Sequence, residues 1–168
     1  MEEEIIRIIH ILGYDRLYFA FEGANPMNIT YASQADRAYI VEKDRHIHPT
    51  LVETKIKEKE IYIFWEDEAR IGWMRYGYFW DNMPFMNMIW IDEPFRGRGS
   101  GQRVVQYWEN EMRKKGFDTV MTSTQSDESA QHFYRGMGYV DAGALLLDTQ
   151  PLEIILMKKI EVVIDEGE

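Results

Sequence analysis

Cysteine is absent from this chain of 168 residues, which removes disulfides, cysteine-bound zinc and any thiol nucleophile from its chemistry. Long apolar runs are absent too. No segment approaches the roughly 18 uninterrupted apolar residues of a membrane span, and Met1 is followed by three glutamates rather than by a basic and then an apolar region. A cytoplasmic protein with no membrane partner is the expectation. Basic residues are in deficit: 19 Lys and Arg stand against 29 Asp and Glu, a formal net charge of −10. Phosphate backbones are bound by basic surface, so nucleic acid is not an expected partner; the negative field favours a cationic ligand such as an amine. What is present is a globular composition, 45% hydrophobic and 14% aromatic, enough for one domain with a sizeable core.

One stretch organises the rest. Trp90-Ile91-Asp92-Glu93-Pro94-Phe95-Arg96-Gly97-Arg98-Gly99-Ser100-Gly101-Gln102 runs from an apolar strand through a basic glycine turn into an amphipathic helix. Glycines at alternate positions let the backbone bend tightly and bring several N–H groups to one point. The helix adds its unpaired first-turn donors and the positive end of its dipole, and Arg96 and Arg98 add charge, so an anion the size of a pyrophosphate suits this turn. It is not a Walker loop, which needs a Gly-Lys pair, and it is not a dinucleotide fingerprint, because Gln102 stands where the third glycine should be. The bland alternative is a glycine-rich turn that merely ends a strand.

Arg96-Gly97-Arg98-Gly99-Ser100-Gly101 resembles the Arg/Gln-x-x-Gly-x-Gly/Ala signature of the GNAT superfamily of N-acetyltransferases, where this loop grips the pyrophosphate of acetyl-CoA. A second stretch, Asp127-Glu128-Ser129-Ala130-Gln131-His132-Phe133-Tyr134-Arg135-Gly136-Met137-Gly138-Tyr139, resembles the family's Asn-x-x-Ala-x-x-x-Tyr-x-x-x-Gly-Phe/Tyr helix. The resemblance covers residues 27–160, leaving an N-terminal helix and aromatic arm over 1–26, expected to pack on the core, and an acidic tail over 161–168. It implies an α+β fold: a mixed, mostly antiparallel central sheet flanked by helices, the GNAT-like acyl-CoA N-acyltransferase fold.

The hydrophobic periodicity agrees with such an alternation. It predicts a helix over 2–12, an extended arm over 16–22, a strand over Met27 to Tyr31, and a helix started by a capping box of Ser33 and Asp36 and continued by Tyr39, Ile40 and Val41. His46 and His48, with no third ligand in view, read as surface residues rather than a metal site. A second helix spans Thr50 to Lys57 with Leu51, Val52 and Ile56 inward, ahead of the solvated run Lys57 to Glu60. Ile61 to Trp65 and Ile71 to Tyr78 read as a hairpin, Asp81 to Pro84 as a break, and Phe85 to Ile91 as the strand that enters the glycine turn. In the next helix, Gln102 to Lys115, Val104, Val105, Trp108 and Met112 share a face while Glu109 with Arg113 and Glu111 with Lys115 pair outside; Gly116 ends it. A strand over Thr119 to Thr124, a helix opened by Asp127 and capped by Gly138, and strands over Val140 to Leu147 and Leu152 to Met157 complete the chain. Of the aromatic residues between Trp73 and Trp90, half should face the core; the others could line an apolar acceptor pocket.

The resemblance implies direct attack of an acceptor nitrogen on acetyl-CoA, a co-substrate, with no metal. It assigns pantetheine to the strand residues Ile89, Trp90 and Ile91, and pyrophosphate to Arg96, Gly97, Arg98, Gly99, Ser100 and Gly101. Tyr134 matches the family's tyrosine and is the expected catalytic acid for the departing thiolate, also touching the cofactor; a phenol of pKa about 10 suits that task. Asp127 stands at the family's asparagine, keeps the acceptor oxygen and loses the amide donors; helix N-capping is a sufficient role for it. Phe85 and Thr122 occupy the positions where a base is often found and neither takes a proton usefully, while Asp81, Asp92 and Glu93 read as surface or capping groups, so no base is assigned. Two readings follow: an N-acetyltransferase for a primary, cationic amine, and a non-catalytic acyl-CoA-binding or sensor domain. An interaction module built on the aromatic 73–90 region is a further reading that leaves the glycine turn and Tyr134 unexplained; separately, the high aromatic content makes a homodimer a reasonable expectation.

Overall fold

The computed structural model of the protein describes residues 18–19 and 27–161. The helix expected over 2–12, most of the arm over 16–22 and all of the acidic tail over 161–168 but its first residue lie outside the described residues. Of the arm, Tyr18–Phe19 is strand β1, paired antiparallel with β2, Met27–Tyr31. Ser33 then sends its backbone N–H and its hydroxyl to Asp36 Oδ2, each at 2.8 Å, so the expected capping box is formed. A 3-10 turn over Gln34–Asp36 leads into α1, Arg37–Lys43, and α2 follows over Pro49–Lys57. His48 is the N-cap of α2, its Nδ1 accepting from Thr50 N, and Pro49 sits where a first-turn N–H has no helical partner.

The remaining strands are β3, Ile61–Glu66; β4, Ala69–Phe79; β5, Met83–Ile91; β6, Thr119–Gln125; β7, Val140–Leu145; and β8, Glu153–Lys159. Two further helices are α3, Ser100–Lys114, and α4, Ala130–Gly136. The sheet order is β1-β2-β3-β4-β5-β6-β8-β7. β5 and β6 pair in parallel, through Phe85↔Met121 and Met86↔Thr122, while β1-β2, β2-β3, β3-β4, β6-β8 and β7-β8 are antiparallel. This is the mixed, mostly antiparallel sheet with helices that the sequence predicts.

The chain groups into two compact units. Among the described residues, one holds those up to Arg75 together with Met88–Ser100. Its core is Ala32, Ile40, Val52, Ile56, Ile61, Ile63 and Trp73. Leu51, expected inward on α2, is instead 52% exposed: of the α2 residues only Val52 and Ile56 are buried, and their i, i+4 spacing defines a stripe too narrow to include Leu51. The ion pairs of this unit include Asp36–Arg70 at 2.9 Å and the buried Asp44–Arg75 at 2.7 Å.

The other unit holds Tyr76–Asn87 and the residues from Gly101 onward. Its reversal between β4 and β5 is made by Trp80 and Asp81, at φ 51° and 59°. The turn therefore closes before Pro84, and the strand starts at Met83, two residues earlier than the sequence predicts; a proline is tolerated so near a strand's start. Trp80, at the tip, is 77% exposed. On α3, Val104, Val105, Trp108 and Met112 are buried as expected. Gly116, at φ 88°, ends the helix with Phe117 N bonding back to Met112 O at 3.1 Å, and Gly138 ends α4 in the same way through Tyr139 N to Tyr134 O.

Glu109 corrects the expected outer pair with Arg113. Its side chain is buried, accepting from Tyr139 OH at 3.0 Å and from Lys158 Nζ at 2.7 Å. A carboxylate with two donors is tolerated inside because each oxygen is bonded. Arg113 turns to the Glu161 carbonyl, and Glu111 pairs with Lys114 at 2.8 Å while Lys115 reaches Tyr76 OH at 2.9 Å. Glu109→Ala would strand an ammonium and a phenol, and a loss of about 2 kcal/mol is expected in urea unfolding, partly recovered when Lys158→Met is added. Equal midpoints for Glu109→Ala and the parent would show that the trio contributes nothing.

Candidate active site

The strand that leads to the glycine turn ends on a close backbone approach. At Gly72 of β4, a Cβ would stand well inside contact distance of the Trp90 carbonyl oxygen, and 3.0 Å and 3.1 Å from Phe64 Cδ2 and Ile91 Cα. Only glycine lets β4 and the end of β5 come this near. Asp92 N bonds to Ile71 O at 2.8 Å, so the chain is held where it leaves the sheet. Ile89 and Ile91 are half-buried, and the indole of Trp90, 42% exposed, stacks on buried Trp73 with centroids 5.9 Å apart.

Pro94 sits within a 3-10 turn over Glu93–Phe95, and the chain then enters the basic segment. Arg96 lies over the Trp90 ring at 4.6 Å and donates from Nε to Ile91 O at 2.6 Å; Arg98 lies over Phe95. Arg96 through Gly99 are exposed. Gly97 and Gly99 have φ of 72° and 76°, the left-handed region that glycine enters without cost, and a Cβ at either would touch nothing within 4 Å. Space is therefore not what requires glycine here; backbone conformation is. Ser100 then starts α3 with a buried hydroxyl that has no hydrogen-bond partner, and Gly101 follows in the first turn, where helix N–H groups lack intrahelical acceptors. The arrangement fits a phosphate-bearing ligand: free first-turn donors, an orphan hydroxyl and two guanidiniums on one short segment.

Tyr134 lies in the second unit. α4 presents it inward, 5% exposed, with its ring 5.5 Å from that of Tyr139. Burial pushes its pKa up to about 12; the Thr122 hydroxyl beside it works against that rise, and the negative charge of Glu128 adds to it. The phenol thus stays protonated across the physiological range. Tyr139 is likewise driven upward, by burial and then by Glu109.

Asp127 is exposed and is not the N-cap of α4. The helix begins at Ala130 with Ser129 before it, so Asp127 sits in the turn three residues ahead. Glu128 and Ser129 take up the length that the sequence reading gave to helix. Phe85, at a base position, is half-buried with its ring 6.3 Å from that of Phe79. Thr122, at the other, is buried, and its Oγ1 donates to Met86 O at 3.0 Å. Of the aromatic run, Trp73 and Tyr76 are core residues, while Phe79, Trp80 and Trp90 keep exposed area. Sequence reasoning missed Gly72 and Glu128; a glycine in the middle of an aromatic strand was the available signal for the first.

Known structures share this architecture. A GNAT acetyltransferase of Bacillus cereus ATCC 10987 is 26% identical, the match covering 79% of this chain and 96% of that one at a TM-score of 0.64. Ard1 of Thermoplasma volcanium, 14% identical, matches over 80% of this chain and 98% of its own at 0.68. So does yncA of Salmonella typhimurium, solved with acetyl-CoA, 13% identical over 80% and 94% at 0.63. No curated protein sequence matches this one. The sequence model of the acetyltransferase (GNAT) family matches residues 27–139, from the first residue of β2 through the glycine turn to the end of the Tyr134 helix. With both motifs inside that span and the sheet order in place, the chain belongs to the GNAT acetyltransferase family.

Proposed function

We propose that the protein transfers the acetyl group of acetyl-CoA to a primary amine by direct attack within a ternary complex. The observation that carries this reading over a non-catalytic cofactor binder is the placement of the motif tyrosine, Tyr134, which α4 holds inward and buried with its ring 5.5 Å from that of Tyr139. A sensor has no use for a proton donor in that place; a departing thiolate does. Arg96 through Gly101 would hold the pyrophosphate with backbone donors, the Ser100 hydroxyl and the two arginines, and Ile89, Trp90 and Ile91 would carry the pantetheine arm. Acetyl-CoA supplies an activated acyl carbon and a thiolate leaving group. The complex of yncA with acetyl-CoA supports the choice of donor. The net charge of −10 supports a cationic acceptor.

Thermal unfolding with and without acetyl-CoA tests the donor. At about 100 times the dissociation constant the ligand adds about 2.7 kcal/mol, a rise of roughly 5 to 10 °C for a chain of this size. Gly99→Val should abolish the rise by forcing a branched residue into left-handed backbone. Release of free CoA thiol in the presence of amines then separates enzyme from binder. Stabilisation without thiol release from any amine would favour the binder, and no rise at saturating acetyl-CoA would sink both.

A further inference from the structure

β5 and β6 are joined in parallel at Phe85↔Met121 and Met86↔Thr122. At the second of these pairs the Thr122 hydroxyl donates to Met86 O, and β6 runs on to Gln125. Thr124, two residues further and on the same face of β6, is buried, and its Oγ1 donates to Glu128 Oε2 at 2.8 Å. Of these two hydroxyls on one strand face, that of Thr122 stands by the Tyr134 phenol and that of Thr124 holds the Glu128 carboxylate. Glu128 is itself exposed.

Shaping the turn before α4 does not require this carboxylate. Gln131 Nε2 already donates to Ser126 O at 2.8 Å and to Glu128 O at 3.1 Å, closing the turn through main-chain acceptors. What the carboxylate does contribute is a negative charge that the phenol of Tyr134 feels. Among the charged groups nearby, Asp127 shares its turn and Glu153 of β8 stands across from Gln125.

We propose that Glu128 is the catalytic base of the reaction, receiving a proton from the acceptor nitrogen as that nitrogen attacks; the inference rests on the N-acetyl transfer reading. The acceptor enters as the neutral amine, its ammonium proton having gone to solvent. Its lone pair forms the C–N bond, and the nitrogen, made acidic by that bond, gives one proton to Glu128. The C–S bond breaks, and the thiolate sulfur takes the proton of Tyr134. Glu128 then returns its proton to the phenolate through solvent, which restores both groups and leaves amide and free thiol as the only products. Thr124 is a positioning residue, holding Oε2 so that Oε1 faces the amine.

The test uses the full chain with spermidine, tyramine and alaninamide as acceptors, read by thiol release. Glu128→Gln should lower kcat about 100-fold, with the KM for acetyl-CoA and the melting temperature unchanged. Glu128→Ala should regain turnover when formate is supplied, which a structural role would not produce, and Thr124→Val should lose activity several-fold. Wild-type turnover of one of these amines with Glu128→Gln equally active overturns the role of Glu128 and leaves the transfer reading intact. Wild-type silence with all three amines sinks the transfer reading for this acceptor class, and the role of Glu128 with it.

Discussion

Gly72→Ala is expected to cost the fold about 3 kcal/mol or more and to take acetyl-CoA affinity down at least tenfold. The added Cβ would meet the Trp90 carbonyl oxygen and Ile91 Cα, both main-chain atoms of β5, and Phe64 on β3. A flexible side chain could swing away from a new methyl, but a strand backbone yields only by moving as a whole, and overpacking of that kind is typically worth about 1–3 kcal/mol even in adaptable cores. Here it also strains the Asp92 N to Ile71 O bond and the stacking of Trp90 on Trp73. The end of β5 is the segment proposed to carry pantetheine, so stability and ligand affinity should fall together. In Gly99→Val they should separate: binding is lost while stability changes by only about 1–2 kcal/mol, because the site of the new side chain is open and only the left-handed backbone resists it. Urea unfolding and thermal shifts on both variants make the comparison. A Gly72→Ala protein with parental stability would mean that β5 has slack the geometry does not suggest.

Much of the fold was legible because each element carried its own local signal. Ser33 with Asp36 marked a helix start, Gly116 and Gly138 marked helix ends, and the spacing of Val104, Val105, Trp108 and Met112 marked the buried face of α3. The departures share one cause: they depend on partners distant in sequence. Glu109 looked like an outer charge because its i, i+4 neighbour is Arg113, yet Tyr139 and Lys158, 30 and 49 residues away, draw it inward. Leu51 looked like core on the pattern of α2 alone, but what covers α2 decides the width of the buried stripe. The sequence marked Val140 to Leu147 as a strand; β7 spans Val140–Leu145, and every one of its residues is exposed, since it pairs only with β8 at the end of the sheet order. The same limit applies to the candidate site. The glycine turn is a contiguous signature and could be read directly, whereas the role of Gly72 depends on a carbonyl 18 residues away, and that of Glu128 on a strand hydroxyl and on a phenol six residues on.

Tyr134→Phe should lower kcat by about 100- to 1,000-fold while leaving acetyl-CoA binding within a factor of two. The hydroxyl is the only atom removed, and the ring keeps its contacts with Phe133 and Tyr139. Loss of the polar contact with the Thr122 hydroxyl changes stability at neutral pH by about 1 kcal/mol or less. The pH dependence of stability provides an independent check. A folded pKa near 12 against an ordinary value of 10 means that the native state holds its phenol proton more tightly than the unfolded chain does. Its contribution is complete below pH 10 and is lost as the pH rises through 12, amounting to about 1.4 kcal/mol by pH 11. The phenylalanine variant has no such loss, so the stability difference between wild type and variant should shift by that amount, in favour of the variant, between pH 9 and pH 11. A phenol is protonated at neutral pH with or without this rise, so the kinetic and the alkaline measurements test separate properties of Tyr134. Turnover reduced without the alkaline shift would keep the proton donor at Tyr134 and show that burial does not raise its pKa, and an alkaline shift with full turnover would make Tyr134 a buried structural phenol.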